Sequence, residues 1–244
     1  MAKSTIINLA LATVLTTVWC YVASCTTVKS TNILDTHNTK QLLTSIFRVR
    51  NNTTNGSQTA IPYKSIQNKD GYKNSYTVYF LTANHGVRDT TSVVLEAVEY
   101  GVVRASYPCV VLSHSDGLDI AVLMIEMYER ELDSFVLDTK EPRQLARVVA
   151  AGCALARLPL FSTGLVSHMT DVIGPGYNRW VCSAPIAPGN SGGAVIDLAT
   201  GKVIGISTGV MLVRQQFVSL QVFHYHIFVP TFLIIPWLKE EKLL

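Results

Sequence analysis

From Ser45 onward the chain is a succession of short segments rich in Val, Ile, Tyr and Thr, separated by Gly, Asn, Asp and Pro. β-Branched and aromatic residues suit a pleated, half-buried surface, and turn residues at this spacing leave little room for long helices. The pattern predicts an all-β protein, a barrel or a sandwich. Segments 45–49, 76–81, 92–97, 107–112 and 120–125 form a first group, and 148–150, 164–168, 179–182, 192–196, 203–208 and 225–229 a second. Between them runs the charged stretch 126–143, with Pro142, which reads as a linker. Near the end, Pro236 is tolerated in a first helical turn but not inside a helix, so a short closing helix is expected to start close to it. Residues 51–57, Asn-Asn-Thr-Thr-Asn-Gly-Ser, contain three Asn-x-Ser/Thr sequons and read as a turn-rich surface loop.

One stretch carries chemistry. In Ala187-Pro188-Gly189-Asn190-Ser191-Gly192-Gly193 a single serine sits among glycines, which permit positive φ and the close approach of a substrate carbonyl. The N–H groups of Gly189 and Ser191 in such a turn could aim at one point and form an oxyanion hole over the Gly189-Asn190-Ser191 backbone. A serine hydroxyl needs a base to take its proton. His85 supplies a candidate at the end of the apolar run Tyr79-Phe80-Leu81-Thr82-Ala83-Asn84, and Asp119 opens another, Ile120-Ala121-Val122-Leu123. Asp116 is the local rival carboxylate, but it precedes a glycine in a loop. His37, His114, His168, His224 and His226 carry no motif and read as ordinary surface or core histidines.

The order His85, Asp119, Ser191, with Thr-Ala-x-His, Asp-Ile-Ala and Gly-x-Ser-Gly-Gly signatures, resembles the chymotrypsin-like (trypsin-like) serine proteases. Residues 184–194, Val203-Ile204-Gly205-Ile206-Ser207-Thr208, Thr163-Gly164-Leu165-Val166-Ser167 and Phe228-Val229-Pro230 resemble the HtrA (Deg-type) branch. The resemblance covers about residues 44–238. It implies two six-stranded antiparallel barrels packed across a cleft, at about 44–126 and 144–238, with a short C-terminal helix, and 244 residues accommodate them. Because the sequence stops near Leu244, a protease domain at 44–244 without a PDZ domain is expected. The resemblance also implies the roles: Ser191 the nucleophile, His85 the general base, Asp119 the residue that orients it. Trypsin-type zymogens keep an aspartate before the nucleophile; Asn190 stands there, which implies activity without N-terminal processing of that kind. The primary specificity pocket maps near Pro185 and Ile186 on one wall and Thr208, Gly209 and Val210 on the other. None is acidic, so small or medium aliphatic side chains are expected rather than Lys or Arg.

Residues 1–24 read as a signal peptide: Lys3, then an apolar run of about 17 residues, at the lower limit for spanning a bilayer. Val22-Ala23-Ser24-Cys25 resembles a lipobox, which would make Cys25 the lipid-bearing first residue of an exported periplasmic or membrane-anchored protein, with simple secretion as the alternative. Residues 25–43 would be a polar tether. Cys109, Cys153 and Cys182 remain in the body, so at most one internal disulfide forms. No metal-ligand spacing or cofactor motif occurs. A net charge of +3 with scattered Lys and Arg argues against nucleic acid. The expected function is a serine endopeptidase acting on protein or peptide substrates through an acyl-enzyme. A catalytically weak protease-fold binding or chaperone-like module is the alternative, and a serine esterase or amidase a second, which the motif order opposes. Oligomeric state has no sequence signal.

Overall fold

A computed structural model describes residues 42, 44–69, 75–90, 92–99, 102–128, 131–157, 159–170, 179–215 and 218–244. The leader, Cys25 and all of the tether except the buried Leu42 lie outside them. Twelve strands close into two six-stranded antiparallel barrels. The first is ordered β1-β2-β3-β6-β5-β4, from β1 (Phe47–Asn51), β2 (Gly56–Gln67), β3 (Tyr76–Ala83), β4 (Val93–Glu99), β5 (Val102–Ser115) and β6 (Ile120–Tyr128). The second is ordered β10-β11-β12-β9-β8-β7, from β7 (Arg147–Gly152), β8 (Leu160–Thr170), β9 (Arg179–Cys182), β10 (Ala194–Asp197), β11 (Val203–Gln215) and β12 (Val218–Pro230). This is the expected chymotrypsin-like architecture.

Alternation sets the interior of each barrel. In β1, Phe47 and Val49 point inward while Arg48 and Arg50 point out. Phe47 meets Phe80 edge-on at 5.1 Å between ring centroids, a geometry worth about 0.5–1.5 kcal/mol beyond the area it buries. Trp180, Val195, Ile204 and Phe228 fill the second barrel. A third cluster, with Ile61, Leu81, Ile120, Ile206 and Val229, welds the barrels together.

Two expectations need correction. Strand β2 was not anticipated: Gly56 and Ser57 open it and Asn51 closes β1, so the supposed loop is a tight hairpin turn. Asn51 is buried, its amide donating to Gly86 O and accepting from Thr53 and Thr54 N–H, which leaves no room for a glycan there. The closing helix α1 runs Thr231–Glu240 with Pro236 in its interior. Burial of Ile234 and Leu238 in the inter-barrel cluster, together with that of Ile235, outweighs the hydrogen bond Pro236 cannot give. The stretch read as a linker does join β6 to β7, and its residues 131–143 are pinned: Leu132 and Phe135 are buried, Phe135 N–H donates to Pro62 O, and Leu137 bridges Val203.

Candidate active site

β3 and β6 are neighbours paired through Ala83 and Ile120, so the residues just beyond that rung meet. His85 lies in a single 3-10 turn, Asn84–Gly86, and Asp119 sits at φ 56° immediately before β6. Asp119 Oδ1 accepts the His85 backbone N–H at 2.8 Å, and Oδ2 lies 2.8 Å from His85 Nδ1. A carboxylate only accepts, so Nδ1 carries the proton and Nε2 is left as a base. Asn84 N–H donates to Asp119 O at 3.0 Å, tying the same corner a third time. Asp116 does something else: its Oδ1 accepts Asn84 Nδ2 at 2.7 Å, and it sits 3.9 Å from His114. From the second barrel, the buried Arg179 donates to Leu118 O and Gly117 O and so steadies the aspartate loop.

Ser191 occupies the turn between β9 and β10. Gly189 and Gly192 stand at φ 99° and 84°, in the left-handed region that disfavours other residues. A Cβ on Gly192 would collide with Thr59 O and Thr82 Oγ1. The turn is held from several directions. Thr59 of β2 donates its N–H to Ser191 O (2.8 Å) and its hydroxyl to Gly189 O (2.7 Å), while accepting Cys153 N–H (2.8 Å). Gly192 N–H donates to Ser207 O at 2.7 Å, and Leu155 N–H to Pro188 O at 2.6 Å. Among the described residues, the N–H groups of Gly189 and Ser191 have no hydrogen-bond partner. Two adjacent donors left open beside a serine suit a developing oxyanion.

Ser191 Oγ donates to Thr208 O at a long 3.5 Å. It shares with His85 a cavity of about 450 Å³ that is also lined by Gln58, Gly86, Pro188 and Gly189. The barrels thus bring His85, Asp119 and Ser191 to one place, with the Gly189–Ser191 backbone beside them.

The residues mapped to the specificity pocket do not line this cavity. Ile186 is buried in the second barrel's core, Pro185 is exposed, and Thr208, Gly209 and Val210 are half-buried on β11. Behind β11 lies His226, fully buried, with Nε2 2.8 Å from Ser207 Oγ and Nδ1 3.2 Å from Cys182 Sγ. Burial pushes its pKa down to about 3 and keeps it neutral. Cys109, Cys153 and Cys182 are all free thiols, pushed up to about 12 chiefly by burial. The one disulfide that the sequence allowed is not formed among them.

The family model of the trypsin-like peptidase domain matches residues 66–206, more than half of the chain. The chain belongs to the trypsin-like peptidase domain family. Solved structures of similar fold include the serine endoprotease from Yersinia pestis (17% identity over 85% of this chain and 66% of that one, TM-score 0.61). Rv3671c protease in its inactive form gives 16% identity, 83% and 91% coverage and a TM-score of 0.61. The HtrA-type protease AlgW with a tripeptide gives 19%, 84% and 62%, and a TM-score of 0.64. The chain spans 66% and 62% of the Yersinia and AlgW chains, and at these identities the likeness is one of fold. No curated protein sequence matches it significantly.

Sequence reasoning missed Thr59, Arg179 and Leu155. The one signal for Arg179 was a cationic residue opening an otherwise apolar strand; Thr59 and Leu155 carry none, since their role is made by backbone groups from distant segments.

Proposed function

We propose that this peptidase hydrolyses peptide bonds with Ser191 as nucleophile, His85 as general base and acid, and Asp119 as the residue that orients the imidazole. The observation that carries this reading is the double engagement of Asp119 by the His85 ring and backbone, which leaves Nε2 as a base in the cavity that Ser191 lines. In the reaction, Ser191 Oγ turns from Thr208 O to His85 Nε2, gives up its proton and attacks the scissile carbonyl. The oxyanion is received by the N–H groups of Gly189 and Ser191. His85 then returns the proton to the leaving amine, and water repeats the sequence on the acyl-enzyme.

Cleavage after small or medium aliphatic residues is our proposal for the primary pocket. None of the five residues mapped to it, Pro185, Ile186, Thr208, Gly209 and Val210, is acidic, and Ile186 and Val210 are apolar. Burying an unpaired ammonium there would cost several kcal/mol, whereas one methylene changes the barrier by only about 1–3 kcal/mol. A peptide-library cleavage profile tests it: broad cleavage after Val, Ala and Leu is expected, and dominance of Lys or Arg would overturn it. We also propose export with lipidation at Cys25. N-terminal mass analysis of the mature protein would show a diacylglyceryl Cys25, or refute it by showing any other N-terminus.

A further inference from the structure

A peptide plane points its C=O and N–H in opposite directions. Fixing the Pro188 carbonyl therefore fixes where the Gly189 N–H points. Leu155 N–H holds that carbonyl at 2.6 Å, so the Gly189 donor faces away from Leu155. The brace is itself unusual: Leu155 and Ala156 stand at φ 53° and 57° in succession. Two consecutive left-handed residues bearing Cβ atoms persist only where their surroundings over-determine them. The same segment closes on Gly189, since a Cβ there would meet Cys153 O and the N–H groups of Leu155 and Ala156.

The group that fastens the segment comes from the other barrel. Arg48 Nη1 donates to Ala156 O at 2.5 Å. Arg48 is directly opposite Glu96 in the β1–β4 register, and its Nε and Nη2 both lie 2.6 Å from Glu96 Oε2. Arg50 Nε holds Glu96 Oε1 at 3.0 Å. The Glu96 side chain is only 6% exposed and that of Arg48 20%. A buried ion pair is a poor source of stability, because desolvating both charges offsets their attraction. Stability alone does not account for placing one on the outer face of β1, against this turn.

We propose that Arg48, held by Glu96, is a positioning residue that keeps the Gly189 N–H turned into the oxyanion site by pinning the left-handed Leu155–Ala156 turn. The proposal rests on the serine-peptidase reading above and assigns that site a support spanning both barrels. Arg48 touches neither substrate nor the reacting atoms. Its action is transmitted through Ala156 O, Leu155 N–H and Pro188 O.

Removing Arg48 alone would leave the buried Glu96 carboxylate with one of its two arginines, Arg50, a partly uncompensated charge that is itself destabilising, so the test variant is the double replacement Arg48→Met with Glu96→Leu. Steady-state kinetics use a fluorogenic peptide with Val before the scissile bond, with rates expressed per fluorophosphonate-titrated site and thermal melting followed alongside. The matching peptide aldehyde, which binds as a tetrahedral adduct, reports the oxyanion site. Losing one oxyanion donor costs roughly 10²–10³ in kcat, so a misdirected donor should cost roughly 10- to 100-fold. That fall is expected in kcat, with KM within about twofold, melting near wild type and aldehyde affinity reduced by the same factor. Arg48→Lys keeps the charge pair but lacks a planar fork to grip Glu96 and Ala156 O together, and should recover part of the loss. A folded double variant with wild-type kcat and aldehyde affinity overturns the proposal while leaving the peptidase reading intact. A wild-type protein that neither reacts with fluorophosphonate nor cleaves peptide overturns both.

Discussion

The two halves of the candidate site are built in opposite ways. The His85–Asp119 corner is mainly local: two strands already paired from Tyr76 to Ala83 bring its members together at the last rung, three hydrogen bonds join them, and Arg179 is the one support from the second barrel described above. The Ser191 turn is a junction. Its carbonyls and amides are tied to Thr59 in the first barrel, to Leu155 in the loop after β7 and to Ser207 in β11. One half is set by strand pairing, the other by tertiary bonds from segments remote in sequence. Substitutions at the corner should therefore act through the named side chain. The serine turn should respond to residues that never touch a substrate.

The largest effects fall on the reacting groups. Ser191→Ala and His85→Ala should each remove roughly 10⁴- to 10⁶-fold of kcat, a barrier increase of about 5–8 kcal/mol. The double variant should be no worse than the worse single, because the two act as one unit; additive losses would separate them. Next comes the carboxylate contrast. Asp119→Asn should cost about 10⁴-fold in kcat by presenting the wrong imidazole tautomer, whereas Asp116→Asn, which perturbs only the hydrogen bond from Asn84, should cost less than about tenfold. Equal losses would mean that the corner is not as local as its hydrogen bonds indicate.

Thr59→Val sharpens the other side of the comparison. It leaves Gly189 O without its hydroxyl donor and Cys153 N–H without an acceptor, so melting should report a loss of about 1–3 kcal/mol. kcat should fall by roughly an order of magnitude through the displaced turn. An unchanged kcat with lowered stability would reduce Thr59 to a packing residue.

The last effect is read in stability against pH, not in turnover. His226 ionises near 6.5 in the unfolded chain and only near 3 when buried. Between those values the unfolded state binds the extra proton, so stability falls as pH drops from about 6.5 toward 3, by at most about 1.4 kcal/mol per pH unit. The buried thiols act at the other end: their contribution is intact below the ordinary thiol range and is lost as pH rises toward 12. Denaturant melts of His226→Gln should lose the acid-side slope and keep the alkaline one.

The barrels and the three motif residues were legible because His85 and Asp119 sit at the ends of apolar strands and Ser191 in a glycine-bracketed turn, each with its own local signature. Strand β2 was not. Its buried middle mixes Gln58 and Thr59 with Ala60, Ile61 and Pro62, and a proline within a run argues against a strand. The fold accommodates Pro62 where the β2–β3 register shifts, between Pro62 and Lys64. Thr59 was hidden for the same reason. Polar residues buried to hold another segment look, in sequence, like a loop. Pro236 misled in the same way, because the helix is pinned by its packing on β11 and β12, which its own sequence does not announce.

The central claim is that Ser191, activated by His85 across the cleft between the barrels, is the nucleophile. Its most direct test is stoichiometric labelling of the wild-type protein with a fluorophosphonate, followed by peptide mapping of the adduct. One phosphonyl group per chain on the peptide that contains Ser191, abolished by Ser191→Ala and strongly slowed by His85→Ala, is predicted. An unlabelled wild-type protein, or an adduct that survives Ser191→Ala, would contradict it.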